Sequence, residues 1–209
     1  MIARMSMPNS RSLDDVVAAL LDDGWVVAAH AVPSELLAPL AQRACELERS
    51  NELVSANVGR ASSRIHDPEV RGDRICWIEP STTHRGETAL LAWLDRLRAR
   101  INQRAFLGLF EFEGHYAIYA PGHGYVKHRD RFRDDDARVL SCVVYLNERW
   151  CDADGGQLRL HLGNGQAPID VLPQAGTVVA FLSDRFEHEV LPAARQRASI
   201  AGWFRRRAA

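Results

Sequence analysis

The feature that most restricts this chain is the punctuation of its second half. Turn signals at Pro121-Gly122, Asp154-Gly155-Gly156, Gly163-Asn164-Gly165 and Ala175-Gly176 cut it into short β-like runs. The runs are 112–119, 125–130, 139–147, 157–162, 167–172, 177–182, 187–191 and 198–204. About eight short strands at this spacing predict a sandwich or jelly roll.

The first half has a different period. Val16, Val17, Leu20 and Leu21 follow a capping-box-like Ser12 and Asp15, and Gly24 ends that helix. A short apolar strand, 25–29, comes next. A second helix, 34–48, is capped by Ser34, with Pro39 delaying its regular part. A third helix, 87–106, carries the stripe Leu90, Leu91, Leu94, Leu97 and Ile101. Between the last two lies a polar stretch, 55–71, leading into a strand at 74–79. Helices first and strands after predict an α+β fold, a double-stranded β-helix (jelly-roll) core with N-terminal supporting helices on one sheet. The expected organisation is a single domain over 1–209. Residues 1–11 form a flexible N-terminus, 12–110 mainly supporting helices and a lid loop, and 111–205 the jelly-roll core.

Composition narrows the function classes. The 209 residues are 46 % apolar and 25 % charged, with a formal net charge of −1. That balance gives no general attraction to nucleic acid or anionic membrane. No apolar run is long enough to span a bilayer, and residues 1–11 lack a secretory signal pattern. Cys45, Cys76, Cys142 and Cys151 form no CxxC pair and read as reduced cysteines of a cytoplasmic protein. Arg205, Arg206 and Arg207 read as a solvated tail.

Chemistry concentrates in three places. His128 and Asp130, two apart in a strand-like run, face the same side and can reach one metal ion. His188, in a later run, supplies a third ligand if the sheet brings the two together. Two histidines and a carboxylate with open positions are the pattern of non-haem iron(II) oxygenases, although the same trio suits hydrolytic zinc. Arg197, with Ser199 and Trp203 on its face by alternation, favours the oxygenase. A guanidinium facing into a barrel needs an anion, and the far end of a dicarboxylate whose near end chelates the metal would supply it.

Taken together, these residues resemble the prolyl hydroxylases. Tyr119-Ala-Pro-Gly-His-Gly-Tyr125-Val-Lys-His128-Arg-Asp130 is similar to the YxPG…YxxHxD segment of that family. So are Val143-Val-Tyr145-Leu-Asn147 with Trp150, Asp154-Gly-Gly156, Asp184-Arg185 before His188, and Arg197 with Trp203. Arg71-Gly-Asp73-Arg-Ile-Cys-Trp77-Ile-Glu79 resembles the strand after the mobile loop of the hypoxia-inducible-factor prolyl hydroxylases. The resemblance covers roughly 71–204. It implies a double-stranded β-helix that uses iron(II), 2-oxoglutarate and O2, with ascorbate in support. It also implies roles: His128, Asp130 and His188 as iron ligands, Arg197 on the 5-carboxylate, and Tyr145 donating a hydrogen bond to it. Tyr119 would border that pocket, and Trp203 and Tyr125 would hold the substrate ring. Two departures stand out. The Gly122-His123-Gly124 turn is shorter than in the hypoxia enzymes, and Ala120 replaces their tyrosine beside the proline, leaving Tyr119 as the second cosubstrate tyrosine. Ser199 matches an Arg-x-Ser pair of other superfamily members. The same resemblance predicts that Asp73 pairs with Arg138 when the loop closes over a polypeptide. It points to a cytoplasmic protein with an exposed proline loop as partner, and bacterial relatives in this branch suggest elongation factor Tu. The rival expectations are a hydroxylase of a small molecule or free amino acid, and a jelly-roll metal-binding protein without turnover. A nucleic-acid demethylase is disfavoured by the near-neutral charge.

Overall fold

The computed structural model describes residues 13–56, 67–131 and 137–207. Three helices, α1 (Leu13–Asp23), α2 (Ser34–Arg49) and α3 (Arg85–Ala105), cover one face of a seven-stranded antiparallel sheet. In chain order the strands are β1 (Trp25–Ala28), β2 (Val54–Ser55), β3 (Asp73–Trp77), β4 (Glu111–Tyr119), β5 (Tyr125–His128), β6 (Arg138–Tyr145), β7 (Leu158–His161), β8 (Ile169–Val171), β9 (Val178–Leu182), β10 (Glu187–Val190) and β11 (Arg197–Arg205). The large sheet runs β1-β9-β6-β11-β4-β3-β2, and a four-stranded sheet, β5-β10-β7-β8, faces it. The jelly-roll expectation holds. The large sheet also draws three strands, β1, β2 and β3, from the helical half.

Alternation on β6 explains the layering. Leu140, Cys142 and Val144 join the cluster under the helices, while Val143 and Tyr145 pack toward the small sheet with Leu158, Leu160, Val171 and Phe186. Full burial of each such side chain contributes about 1.5–3 kcal/mol. Helix α3 buries Leu90, Trp93, Leu94, Leu97 and Ile101. The expected stripe is nearly right, but Trp93 rather than Leu91 completes the buried face. Two expectations for α2 are corrected. Ser34 is its first helical residue and Pro33 precedes it as the cap without a side-chain bond. Pro39 lies inside the helix instead of delaying it. Ser12 and most of the proposed lid, 57–66, lie outside the described residues.

Candidate active site

The small sheet brings the two histidines together. On neighbouring antiparallel strands β5 and β10, His128 and His188 are directly opposite, a pairing that sets side chains within contact. Their ring centroids are 4.2 Å apart. Gly124 permits this approach, because a Cβ there would collide with the Val190 carbonyl. Asp130 does not lie on the strand as expected. Strand β5 ends at His128, and Asp130 sits in the bend beyond it. Its carboxylate still converges on both rings, 3.7 Å from His128 Nε2 and 3.6 Å from His188 Nε2. The large sheet fixes it there: the Ser141 hydroxyl donates to Asp130 Oδ2 at 2.6 Å, and Ser141 meets Ser183 at 2.9 Å. The three potential ligand atoms all lie within 4.8 Å of one another.

Electrostatics sets these groups in the forms a divalent cation needs, neutral imidazoles and an ionised carboxylate. Burial, helped by neighbouring His188, pushes His128 down to about 4. Burial also lowers His188, against the pull of Asp130. Burial works to raise Asp130, but His188, His128 and the Ser141 hydroxyl outweigh it and hold the carboxyl below its usual range. The His128 Nδ1–H donates to the Val126 carbonyl at 2.8 Å, which leaves the Nε2 lone pair turned to Asp130.

The same cavity, about 550 Å³, continues to Arg197. This guanidinium is 1 % exposed. Its Nε donates to the Gly156 carbonyl at 2.9 Å and one terminal nitrogen to Ser199 Oγ at 3.3 Å, both neutral acceptors. Gly156 lies at φ 69°, and a Cβ there would crowd Ala193 and the Arg197 stem. No carboxylate among the described residues pairs with Arg197. The rings of Tyr119 and Tyr145 flank it, each 5.2 Å from the guanidinium carbon. Tyr119 reaches this position because β4 pairs it directly with Arg197 on β11. The Tyr145 hydroxyl is buried without a hydrogen-bond partner. Burial pushes it up to about 12 despite Arg197, so it stays a proton donor. A buried unpaired cation beside an unused donor is costly unless an anionic ligand completes both.

Trp203 lines the cavity on the face of β11 that carries Arg197 and Ser199, as alternation predicts. Tyr125 also lines it, but its ring is committed to His128, stacked at 3.6 Å and 17°. The Asp73–Arg138 pair, expected on closure over a polypeptide, is not formed in this conformation. Asp73 is held by Arg71 through two bonds of 2.7 and 3.0 Å. Arg138 instead bonds Glu113 at 3.0 Å and lies 3.4 Å over the Trp203 ring. The reason is proximity: Arg71 is two residues from Asp73, and Glu113 pairs with Trp203 across the neighbouring strands. Sequence reasoning also missed His115, which is buried between Trp77 and Trp203, with centroids 4.8 and 5.6 Å away. Burial and Arg71 lower it to about 4. Ser141 was legible in principle, because alternation on β6 sets it on the cavity face with Val143 and Tyr145.

Comparison with known proteins agrees with this geometry. Residues 114–205 match the 2OG-Fe(II) oxygenase superfamily. A Pseudomonas putida prolyl-4-hydroxylase structure is 46 % identical with a TM-score of 0.83, over 94 % of this chain and 100 % of that one. This chain belongs to the prolyl hydroxylase family of 2OG-Fe(II) oxygenases. A Trichoplax adhaerens prolyl hydroxylase, solved with a hypoxia-inducible-factor oxygen degradation domain peptide fragment, is 27 % identical with a TM-score of 0.79, over 92 % of this chain and 88 % of that one. The Caenorhabditis elegans hypoxia-inducible factor prolyl hydroxylase is 31 % identical over 91 % of this chain, which spans only 28 % of that relative. Membership in the prolyl hydroxylase family implies iron(II), 2-oxoglutarate and O2. The residues fit these groups: a preformed donor set of the right protonation for the metal, and an unpaired buried guanidinium with an idle tyrosine hydroxyl for the dicarboxylate.

Proposed function

We propose that the chain hydroxylates a prolyl residue of a protein, using iron(II), 2-oxoglutarate and O2, with ascorbate as a supporting reductant. The observation that carries this reading is Arg197, a buried cation that pairs with no carboxylate among the described residues and shares a cavity with His128, Asp130 and His188. His128, Asp130 and His188 would hold the iron. When bound, iron would supply activation of O2 coupled to oxidative decarboxylation of 2-oxoglutarate, and so hydroxylation of an unactivated C–H bond. Arg197, with Ser199 beside it, would grip the 5-carboxylate, and the Tyr145 hydroxyl would donate to the same group. Tyr119, buried and held protonated by burial, would close that end against water. At the opposite end, the edges of Trp203 and Tyr125 would hold the pyrrolidine ring by apolar contact.

A polypeptide is favoured over a small molecule by the mouth. Val54 and Trp77 line it yet are 60 and 45 % exposed, apolar surface suited to a chain passing across the opening. Elongation factor Tu is the proposed target, from the resemblance to bacterial members of this branch. An extended loop suits the site because the residue before proline is already biased to extended geometry. The enzyme and that target would then share the cytoplasm. The helical and strand halves are read as one oxygenase domain, since β1–β3 complete the large sheet.

The test incubates elongation factor Tu with enzyme, iron(II), ascorbate and 2-oxoglutarate and maps peptides by mass spectrometry. Gain of one oxygen atom on a proline is expected. Modification of other proteins only would reject the target. Succinate formation that free amino acids stimulate and polypeptides do not would reject the protein substrate.

A further inference from the structure

Just before β3 the chain passes from one sheet to the other. Val126 N–H donates to the Val70 carbonyl and Gly72 N–H to the Gly124 carbonyl, both at 2.9 Å, and Arg71 bridges Tyr125. Residues 70–72 thus lie along the outer edge of β5 in the small sheet. The next residue, Asp73, opens β3 in the large sheet and pairs with Tyr119. The Arg71 side chain sits at this seam. It makes two bonds to Asp73, which is 2 % exposed, approaches His115 Nε2 at 3.4 Å, and lies 4.9 Å over the Tyr125 ring. The Tyr125 ring in turn lies flat against His128 at 3.6 Å.

The geometry points to Arg71 as a positioning residue for the metal site, acting through Tyr125 on His128. This inference rests on the reading of His128, Asp130 and His188 as a metal centre. The argument concerns rotational freedom. Among the described residues the imidazole of His128 has one hydrogen bond, to the Val126 carbonyl, and that bond alone does not fix the ring's rotation about it. A flat ring stacked on one face removes the rocking, but only while the stacked ring is itself held. Tyr125 is held from its other neighbour by the guanidinium, and the guanidinium is oriented by a two-bond fork to a buried carboxylate. A lysine cannot reproduce that fork or present a flat face to the phenol. The chain Asp73, Arg71, Tyr125, His128 therefore transfers the rigidity of β3 in one sheet to a ligand in the other. The competing explanation is that Arg71 serves only to neutralise buried Asp73, with the ring contact incidental.

The experiment measures Mn(II) affinity of the full chain by calorimetry, without turnover. Arg71→Met is expected to weaken Mn(II) binding about ten- to a hundredfold, the range for groups that orient ligands. The double variant Arg71→Met with Asp73→Asn, which removes the orphaned carboxylate, should show the same loss. Tyr125→Leu should reproduce it with Arg71 and Asp73 intact, and Tyr125→Phe, which keeps the stacked ring and loses only the hydroxyl's bond to Arg71, should lose less than Tyr125→Leu. Arg43→Met, which breaks a remote ion pair to Glu87, should lower Tm and leave Mn(II) affinity unchanged. Wild-type affinity in the double variant, or in Tyr125→Leu, overturns the inference in favour of simple neutralisation. Absence of Mn(II) binding by the wild-type chain overturns the metal centre itself, and this inference with it.

Discussion

Two arginines on the cavity wall occupy opposite electrostatic conditions. Arg197, at the closed end, is 1 % exposed and among the described residues bonds only a carbonyl and a hydroxyl. Arg138, at the mouth, has Glu113 at 3.0 Å and the face of Trp203 beneath it. A charge already matched by its neighbours is part of the architecture. A buried charge left unmatched marks the place of a ligand, because desolvating an unpaired ion costs several kcal/mol. The contrast separates two roles that residue type alone does not.

The sharpest test of the contrast removes the metal end altogether. Asp130→Ala should abolish divalent-metal binding and all detectable hydroxylation, while circular dichroism shows the fold intact. Zinc-supported turnover in the wild type would instead sink the oxygenase reading. Next in size, Arg197→Ala should weaken 2-oxoglutarate binding by about 3–5 kcal/mol, about a hundred- to a few thousand-fold. Arg197→Met should show the same loss and leave the apoprotein's Tm close to wild type, since no carboxylate is orphaned; a collapse in Tm would mean the guanidinium is structural after all. Arg138→Ala is a smaller perturbation, about 1 kcal/mol from the ion pair and ring contact. It should raise KM for polypeptide less than tenfold and leave 2-oxoglutarate affinity alone. Charge reversal at both Asp73 and Arg138 should give no mutual rescue, because each has another partner. The last effect is on acid stability and not on turnover. His115 is lowered to about 4 in the folded chain, so the unfolded chain binds more protons below its ordinary value of 6.5. Its contribution is fully present above about 6.5 and drains away as pH falls toward 4. His115→Phe should flatten that part of a Tm-against-pH curve; an unchanged slope would show that other groups set it.

The parts of this picture that were legible from sequence are those governed by period. Alternation set Arg197, Ser199 and Trp203 on one face, and the spacing of turns gave the strands to within a residue or two. Asp130 illustrates where period stops. Alternation was extended past the end of β5, and the residue reached the site by a bend and by Ser141 from the other sheet. The partners that Asp73 and Arg138 take in this conformation were not legible for a related reason. A pairing carried over from relatives competes with whichever opposite charge is nearest on the same or adjacent strand, here Arg71 and Glu113. His115 left no signal at all, since a histidine on a half-buried strand looks the same whether it meets solvent or two tryptophans.

Strand β11 is flanked on both sides, by β4 and by β6, along nearly its whole length. It therefore behaves as a gauge block. Arg197 and Trp203 are six residues apart on it, about 20 Å at the usual strand rise. The distance from the grip on the small cosubstrate to the ring that greets the large substrate is thus machined into one straight element. An insertion in a loop around the mouth would leave that distance unchanged. The strand has no such freedom: one inserted residue between positions 197 and 203 would turn one of the two away from the cavity.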